Sequence, residues 1–172
     1  MSSYGKSWEY VEKQIRKKTF GILGTVSPKG RSHTSGIVYG VSPPKEKFRL
    51  YILTKKDYFK VKNIQKNHHV SMTITYPHYW LRFVPAATIY FQATAKLLPF
   101  DSFIPQEVFK QKRILRLILP KDEISEKDKE SYVFIEIKPK KIICHGVGIG
   151  LLKQRKNHEH TSYFVQLLVE KH

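Results

Sequence analysis

The segment Ser7–Lys18 carries the spacing of an amphipathic helix. Its apolar residues Trp8, Val11 and Ile15 recur at intervals of three and four among charged residues, which places them on one helical face. Ser7 stands at the position where a helix-capping hydroxyl is preferred. The pattern therefore predicts an N-terminal helix with one apolar side.

After this helix, the hydrophobic period changes to the alternation of β-strands. Phe20–Val26 and Arg31–Val41 are predicted to form a hairpin, because Ser27–Gly30 supplies a proline and a glycine suited to a tight turn. Alternating or β-branched residues predict five further strands, which are Phe48–Thr54, Val70–Thr75, Ala87–Leu97, Tyr132–Ile137 and Lys141–His145. The apolar Tyr163–Val169 fits a strand or a helix.

Two segments between the strands return to helical spacing. Lys55–Asn67 predicts a short basic helix capped by Asp57, and Pro105–Leu119 also has helical character. The charged Glu123–Glu130 predicts a connection. Six or seven short antiparallel strands at this spacing favour a small closed barrel over a parallel sheet, so we expect one mainly β domain over residues 1–172.

Composition excludes several classes of protein. With 41% hydrophobic and 26% charged residues, the chain is neither disordered nor fibrous. Its longest apolar stretches fall far short of the roughly 20 residues that span a bilayer, and residues 1–6 lack the apolar core of a signal peptide. The single cysteine, Cys144, excludes an internal disulfide and is expected to be an inert core residue. We expect a cytoplasmic protein without a bound metal.

The net charge is the unusual feature of the composition. Lys and Arg number 31 against 14 Asp and Glu, which gives a formal charge of +17. A field of this sign attracts polyanions or anionic ligands. The excess charge therefore indicates either a functional anion site or a generally cationic surface.

A candidate anion site lies where the third strand meets the basic helix. Thr54 offers a hydroxyl, the following turn offers free N–H groups, and Lys60 and Lys62 supply positive charge near a helix N-terminus. By spacing alone, the same lysines also fit the solvated face of an amphipathic helix. The residues by themselves leave both interpretations open.

Other motifs carry weaker signals. Gly146–Gly150 lacks the spacing of a dinucleotide fingerprint and predicts a turn, and His158 and His160 match no standard metal spacing. The aromatic segment Tyr76–Pro85 fits either a cover for a flat ligand or a subunit contact. His68 and His69 follow a helix end, where positive charge suits the helix dipole.

Several stretches together resemble one known family. Phe20–Thr34, with its Thr-Val strand end, Pro-x-Gly turn and His33, is similar to the opening of the pyridoxamine 5′-phosphate oxidase-like FMN-binding split barrels. Leu50–Thr54, Lys60–Ile64 and Asn67–Ser71 resemble later motifs of that family in the same order. The resemblance covers roughly Trp8–Leu98. It implies an antiparallel split β-barrel of Greek-key topology with an N-terminal helix and short inserted helices.

The resemblance also implies a cofactor site. The segment whose backbone lies along the isoalloxazine ring in that family corresponds to Thr34, Ser35, Gly36 and Ile37. Thr54 and Lys55 correspond to the strand end that meets the ribityl chain and phosphate. Lys60 corresponds to the phosphate-binding lysine, with Lys62 as a second cation. Thr88 corresponds to a polar residue that the partner subunit of a homodimer offers to the flavin.

The chain departs from the family pattern at two places. Tyr58 and Phe59 stand where Ser and Arg commonly precede the phosphate-binding lysine. The end of the chain, including Lys153–His160, carries neither the Glu-Phe-Trp-x-Gly run nor the Arg-x-His pair of the true oxidases. The resemblance therefore favours an FMN-dependent oxidoreductase with another, unidentified small substrate. No side chain stands out as an acid or base, although His33 and Tyr39 lie on the strand beside the expected ring.

Three alternatives accompany this hypothesis. Within the same resemblance, a deazaflavin could take the place of FMN. The second alternative belongs to a different functional class and is a protein that binds a flavin or haem without turnover. A basic nucleic-acid-binding barrel would explain the charge of +17 and the aromatic residues. The sequence shows no RNP-like strand, zinc motif or helix-turn-helix signature, so the nucleic-acid alternative is disfavoured.

Overall fold

The computed structural model describes residues 6–77, 86–120, 125–150 and 161–166. Five helices are present in these ranges: α1 Trp8–Arg16, α2 Phe59–Lys66, α3 Phe103–Gln111, α4 Arg113–Arg116 and α5 Glu126–Lys129. Eight strands are present: β1 Phe20–Val26, β2 Ser32–Val38, β3 Gly40–Val41, β4 Leu50–Lys55, β5 His69–Tyr76, β6 Ala87–Pro99, β7 Tyr132–His145 and β8 Ser162–Val165.

The strands form one antiparallel sheet that curls on itself. The order along the sheet is β2-β1-β5-β6-β7-β4-β3, and β8 pairs with β7 outside this path. Only Tyr39 separates β2 from β3, yet these two strands lie at opposite ends of the order. The sheet must therefore bend round until its two ends meet. The predicted mainly β class and antiparallel split barrel are confirmed.

The interior of the curled sheet holds the main hydrophobic core. Alternate residues of the longer strands point inward, for example Val70, Met72 and Ile74 of β5. Helix α1 closes one side of this core with Val11 and Ile15, which are both fully buried. The predicted helix cap is also present, because the Ser7 hydroxyl accepts a hydrogen bond from the Tyr10 amide at 3.4 Å.

A smaller hydrophobic cluster lies on the outside of the sheet, beneath α3 and α4. Tyr51 and Phe134 supply its sheet side, and Val108, Phe109 and Leu115 supply its helix side. The helical character predicted over Pro105–Leu119 is confirmed, but the segment forms two helices because the backbone is extended at Lys112, with φ −99° and ψ 124°. The Lys112 ammonium donates to the Arg16 carbonyl oxygen at 3.0 Å, which ties this break to α1.

Strand β7 runs through a proline that was expected to divide it. The prediction of two strands, Tyr132–Ile137 and Lys141–His145, is wrong, because residues 132–145 form one strand. Pro139 faces Ala93 and Lys141 faces Gln92, so Lys140 is an extra residue in a β-bulge. A bulge accommodates proline because the strand pairing is already interrupted there.

Several smaller predictions are settled by the remaining described residues. The connection predicted over Glu123–Glu130 contains α5, and the segment Tyr163–Val169 is a strand as far as Val165. A turn follows β7 as expected, with positive φ at Gly146 and Gly148. The loop residues His78, Tyr79, Trp80 and Phe83, the cluster His158, Glu159 and His160, and the segment Lys153–Lys156 lie outside the described residues.

Candidate functional site

Helix α2 is held against the end of the barrel by a buried polar contact. Val61, Asn63 and Ile64 are its buried residues. The Asn63 side-chain amide donates to the Thr25 hydroxyl at 3.0 Å, and that hydroxyl donates to the His33 carbonyl oxygen at 3.4 Å. These bonds position α2 relative to β1 and β2. The sequence does not reveal this contact, because only the fold brings the two residues together.

The first turn of α2 presents free hydrogen-bond donors. The N-cap residue is Tyr58, and no side chain caps the helix, so the predicted cap by Asp57 is wrong. The backbone amides of Phe59 and Lys60 have no acceptor within the described residues. No acidic residue lies in this turn. The start of α2 therefore carries unopposed partial positive charge from its amides.

Two lysines add full positive charges to this helix start. The Lys60 ammonium lies 4.8 Å from the centroid of the Tyr58 ring, and the Lys62 ammonium lies 5.9 Å from that of Phe59. Partial burial lowers the pKa of Lys60. Neither lysine belongs to an ion pair among the described residues. An anion that approached here would meet cations that no carboxylate neutralises.

The exterior of strands β2, β1, β5 and β6 forms a second part of the candidate site, which we call the outer face. Residues directly opposite each other across a pair of strands share a face of the sheet. By this register, Thr34 and Gly36 of β2 share the outer face with Ile22 of β1 and with Thr88 of β6. Five of the predicted site positions thus divide between this face, which carries Thr34, Gly36 and Thr88, and α2, which carries Lys60 and Lys62.

The outer face is apolar around Gly36. Phe20 and Ile22 are 56% and 40% exposed, which is unusual for large apolar residues of a central strand. A Cβ atom at Gly36 would lie 3.2 Å from the Phe20 ring, so a side chain at this position would crowd the surface. The sequence of Phe20–Val26 does not show which face of this strand is exposed, because apolar residues occupy both of its faces.

The remaining predicted residues of β2 point into the barrel. Ser35 faces the buried Leu23, and Ile37 is part of the main core. The Ser35 hydroxyl oxygen is buried without a hydrogen-bond partner in the described residues. The backbone of β2 is nevertheless accessible along one side, since β2 ends the strand order and pairs only with β1 among the described strands.

The structure brings the start of α2 close to β2. The His33 ring centroid lies 6.0 Å from that of Phe59, and His33 precedes Thr34 directly. Thr88 lies three strands from β2, or roughly 14 Å at the usual strand spacing. The predicted anion site and the predicted ring segment are therefore neighbours within one chain, while Thr88 is distant from the ring segment.

Thr54 and Lys55 do not join this group directly. The Thr54 side chain is buried on the inner side of β4. The Lys55 ammonium lies 5.7 Å from the centroid of the Tyr132 ring. Tyr132 lines a cleft of about 600 Å³ with Lys56 and with Phe103 of α3, so Lys55 is directed to another part of the exterior.

His145 of β7 borders the outer face and was not among the predicted site residues. It lies opposite Thr88, and its Nδ1 atom is 2.9 Å from the Ser162 hydroxyl oxygen. Only the pairing of β7 with β8 reveals this contact. Among the residues that the structure describes, no three His, Cys, Asp or Glu side chains are grouped to hold a metal ion, and no helix is long and apolar enough to span a membrane.

Comparison with known proteins agrees with this architecture. Three similar solved structures share the fold at TM-scores between 0.57 and 0.64. A conserved hypothetical protein of Mycobacterium tuberculosis has a TM-score of 0.58 and 16% identity, with 83% of this chain and 86% of that chain covered. HutZ, described as the haem storage protein of Vibrio cholerae, has a TM-score of 0.57 and 17% identity, with 78% and 92% covered.

A more divergent structure and the family model complete the comparison. A haem-binding protein from Mycobacterium smegmatis has a TM-score of 0.64 and 10% identity, with 87% of this chain and 57% of that chain covered. No protein with a curated description matches the sequence. The family model described as pyridoxamine 5′-phosphate oxidase matches residues 7–145, which include α1, α2 and strands β1 to β7. The chain therefore belongs to the pyridoxamine 5′-phosphate oxidase family of split-barrel proteins.

Proposed function

We propose that this protein is an FMN-binding oxidoreductase that acts as a homodimer on a small substrate. The half-buried Lys60, unpaired beside the uncapped start of α2, is the observation that carries the proposal. Family membership and the likeness to FMN-binding motifs support the same cofactor.

The chemistry of the α2 start fits a phosphate group. Free backbone amides and ammonium groups are the usual ligands of phosphate at a helix N-terminus. The amides of Phe59 and Lys60 and the side chains of Lys60 and Lys62 supply both kinds of ligand. The contact of Asn63 with Thr25 would hold these donors in place before a ligand arrives.

The outer face fits a flat aromatic ring. Gly36 leaves room beside Phe20 and Ile22, so a planar group could lie along β2 against apolar carbon. The free side of β2 offers backbone donors and acceptors for the polar edge of such a ring. The segment Thr34–Ile37 is thus proposed to act through its backbone and through the outward Thr34 and Gly36.

A second copy of the chain would complete this site. The apolar Phe20 and Ile22 are exposed in one chain, and Thr88 is roughly 14 Å from β2. Contact of two outer faces would bury the apolar residues and bring Thr88 of the partner subunit near the ring. Bound FMN supplies hydride transfer, whereas the protein orients the ring and excludes water from it.

Haem binding is the second candidate function. Two of the structures with this fold are described as a haem storage protein and a haem-binding protein. An apolar outer face bordered by cations would also suit a porphyrin with its propionate groups. Deazaflavin differs from flavin within the ring, so the phosphate site of α2 does not separate these two cofactors.

Titration with each cofactor tests the proposal. FMN added to the flavin-free protein is expected to lose fluorescence on binding. The Lys60→Ala variant should raise the dissociation constant for FMN about 10- to 100-fold, which is the effect of losing a charge-assisted hydrogen bond. Lys66→Ala is the matched control, because it removes an exposed cation from the other end of α2. Its effect should stay within about threefold.

The outcomes separate the candidates. If Lys60→Ala and Lys66→Ala changed the dissociation constant of FMN equally, the phosphate site would be contradicted. General attraction between FMN and a positively charged protein would then explain the binding. If the protein bound hemin with a sharp Soret band and did not bind FMN, haem would replace FMN as the proposed cofactor. If the protein did not bind FMN but bound a deazaflavin with the same dependence on Lys60, the proposed phosphate site would stand and only the proposed ring system would change.

A further inference from the structure

The turn formed by α4 and the two residues after it exposes an unusual number of aliphatic side chains. Leu117 is 86% exposed, Ile114 is 54% exposed, and Ile118 is also exposed. Their spacing of three and four residues places them on one side of a helical turn. Leu115 points the other way and is fully buried under the helix, which anchors the turn to the molecule.

Two arginines are interleaved with these aliphatic residues. Arg113 and Arg116 are exposed, and neither belongs to an ion pair among the described residues. Residues 113–118 contain no acidic side chain. We call the five exposed residues the α4 patch: Arg113, Ile114, Arg116, Leu117 and Ile118. None of them belongs to α2 or to the outer face, so the proposed cofactor site does not account for them.

The chemistry of the α4 patch decides what could cover it. A symmetric contact with a second copy would bring like-charged arginines together within a molecule of net charge +17. A nucleic-acid backbone would satisfy the arginines but would leave the aliphatic side chains without an apolar partner. An anionic bilayer offers phosphate groups to arginine and, directly beneath them, acyl chains to isoleucine and leucine.

We propose that the α4 patch docks the protein onto an anionic lipid bilayer. Ile114, Leu117 and Ile118 enter the layer between the headgroups, while Arg113 and Arg116 remain at the level of the lipid phosphates. The long arginine side chains allow both contacts at once. The remaining positive charge of the molecule strengthens its attraction to such a surface at low ionic strength.

Sedimentation with lipid vesicles tests the docking. The full-length protein is expected to bind vesicles of phosphatidylcholine with phosphatidylglycerol and not vesicles of phosphatidylcholine alone, with weaker binding as salt rises. The double variant Ile114→Ser, Leu117→Ser should lower the partition coefficient at least about tenfold, because it removes the inserted apolar groups. Phe164→Ser is the matched control, since Phe164 is exposed on β8.

A second pair of variants separates local charge from total charge. Arg113→Gln with Arg116→Gln should weaken binding at least about tenfold, whereas Lys29→Gln with Lys45→Gln should weaken it less than about threefold. Lys29 and Lys45 are exposed in loops and carry the same total charge. Equal losses in the two double variants would overturn the proposal, because total charge would then explain the binding.

A probe at position 117 reports insertion directly. In Leu117→Cys, the introduced thiol can be labelled with an environment-sensitive fluorophore, because Cys144 is fully buried. A blue shift of its emission on anionic vesicles is expected. Vesicle binding without that shift would overturn the proposal. A change of sedimentation coefficient in Ile114→Ser, Leu117→Ser without lipid would also overturn it, since a second copy would then cover the patch.

Discussion

Cys144 lies near the end of β7, opposite Tyr163 of β8, with its side chain fully buried. Burial raises the pKa of its thiol to about 11. The flanking isoleucines were sufficient to predict an inert core cysteine, and the burial confirms that it lies in the core. The sequence could not show that a tyrosine would face it, because β8 lies 17 or more residues further along the chain.

We expect Cys144 to reduce stability at high pH. The unfolded thiol ionises near its ordinary pKa of 9.0, whereas the folded thiol stays protonated until about 11. The folded state is therefore favoured fully below pH 9 and loses that advantage as the pH rises towards 11. The free energy of unfolding from urea titrations should fall more steeply over this range in the wild type than in Cys144→Ala. Parallel curves would contradict the expected ionisation.

In the candidate site, too, the sequence identified residues but not the contacts that depend on distant parts of the chain. Motif order alone selected Thr34, Gly36, Lys60 and Thr88, and the fold puts Thr34 and Gly36 on one exposed face near α2. The side from which each residue acts was not predictable. Ser35 and Ile37 turned inward because β2 alternates. In β1 the same alternation exposes Phe20, while Gly21 and Leu23 face the core.

At the scale of elements, α3 and α4 pack on the sheet through a glycine of β3. A Cβ atom at Gly40 would lie 3.0 Å from a methyl carbon of Leu115 and closer still to one of Val108. Gly40 is therefore a position where the helices approach the sheet backbone too closely to admit a side chain without movement. The sequence indicated helical character for this segment but could not show its break at Lys112, where the side chain contacts the distant Arg16.

Substitution of Gly40 tests this packing. We expect Gly40→Ala to lower the free energy of unfolding by about 1–3 kcal/mol, because the helices must move to admit the new methyl group. Gly150→Ala is the control, since a Cβ atom there meets nothing within 4 Å. Thermal or chemical denaturation measures both changes. Similar free energies of unfolding for the two variants would contradict this expectation, because the helices would then move to admit the methyl group without loss of stability.

For the whole molecule, the proposed homodimer depends on the exposed apolar part of the outer face. Ile22→Asp should raise the dimer dissociation constant at least about tenfold, because it would place a charge in a buried contact. Phe103→Asp is the matched control, since Phe103 is 77% exposed on α3. Analytical ultracentrifugation over a range of concentrations measures both. A wild-type protein that stays monomeric would contradict the proposed homodimer.

The overall architecture was predictable because it depends on local patterns repeated along the chain. Alternation marked most of the strands, and the hairpin turn at Ser27–Gly30 fixed the first pairing. The closure of the sheet was harder to predict from the sequence. The bend between β2 and β3 consists of Tyr39 alone, so no turn motif marks it. Strand β7 was divided in the prediction because the bulge that accommodates Pro139 depends on its neighbour, β6.

The central place of β7 has a consequence for biosynthesis. Because β7 lies between β6 and β4, a nascent chain that ends before residue 132 holds both strands with bare edges towards each other. Those edges expose unpaired backbone groups and the inner faces of both hydrophobic clusters. Neither cluster can close until the ribosome has released most of the chain. The interval before β7 emerges is therefore one in which unpaired strand edges and apolar faces together favour aggregation of the nascent chain.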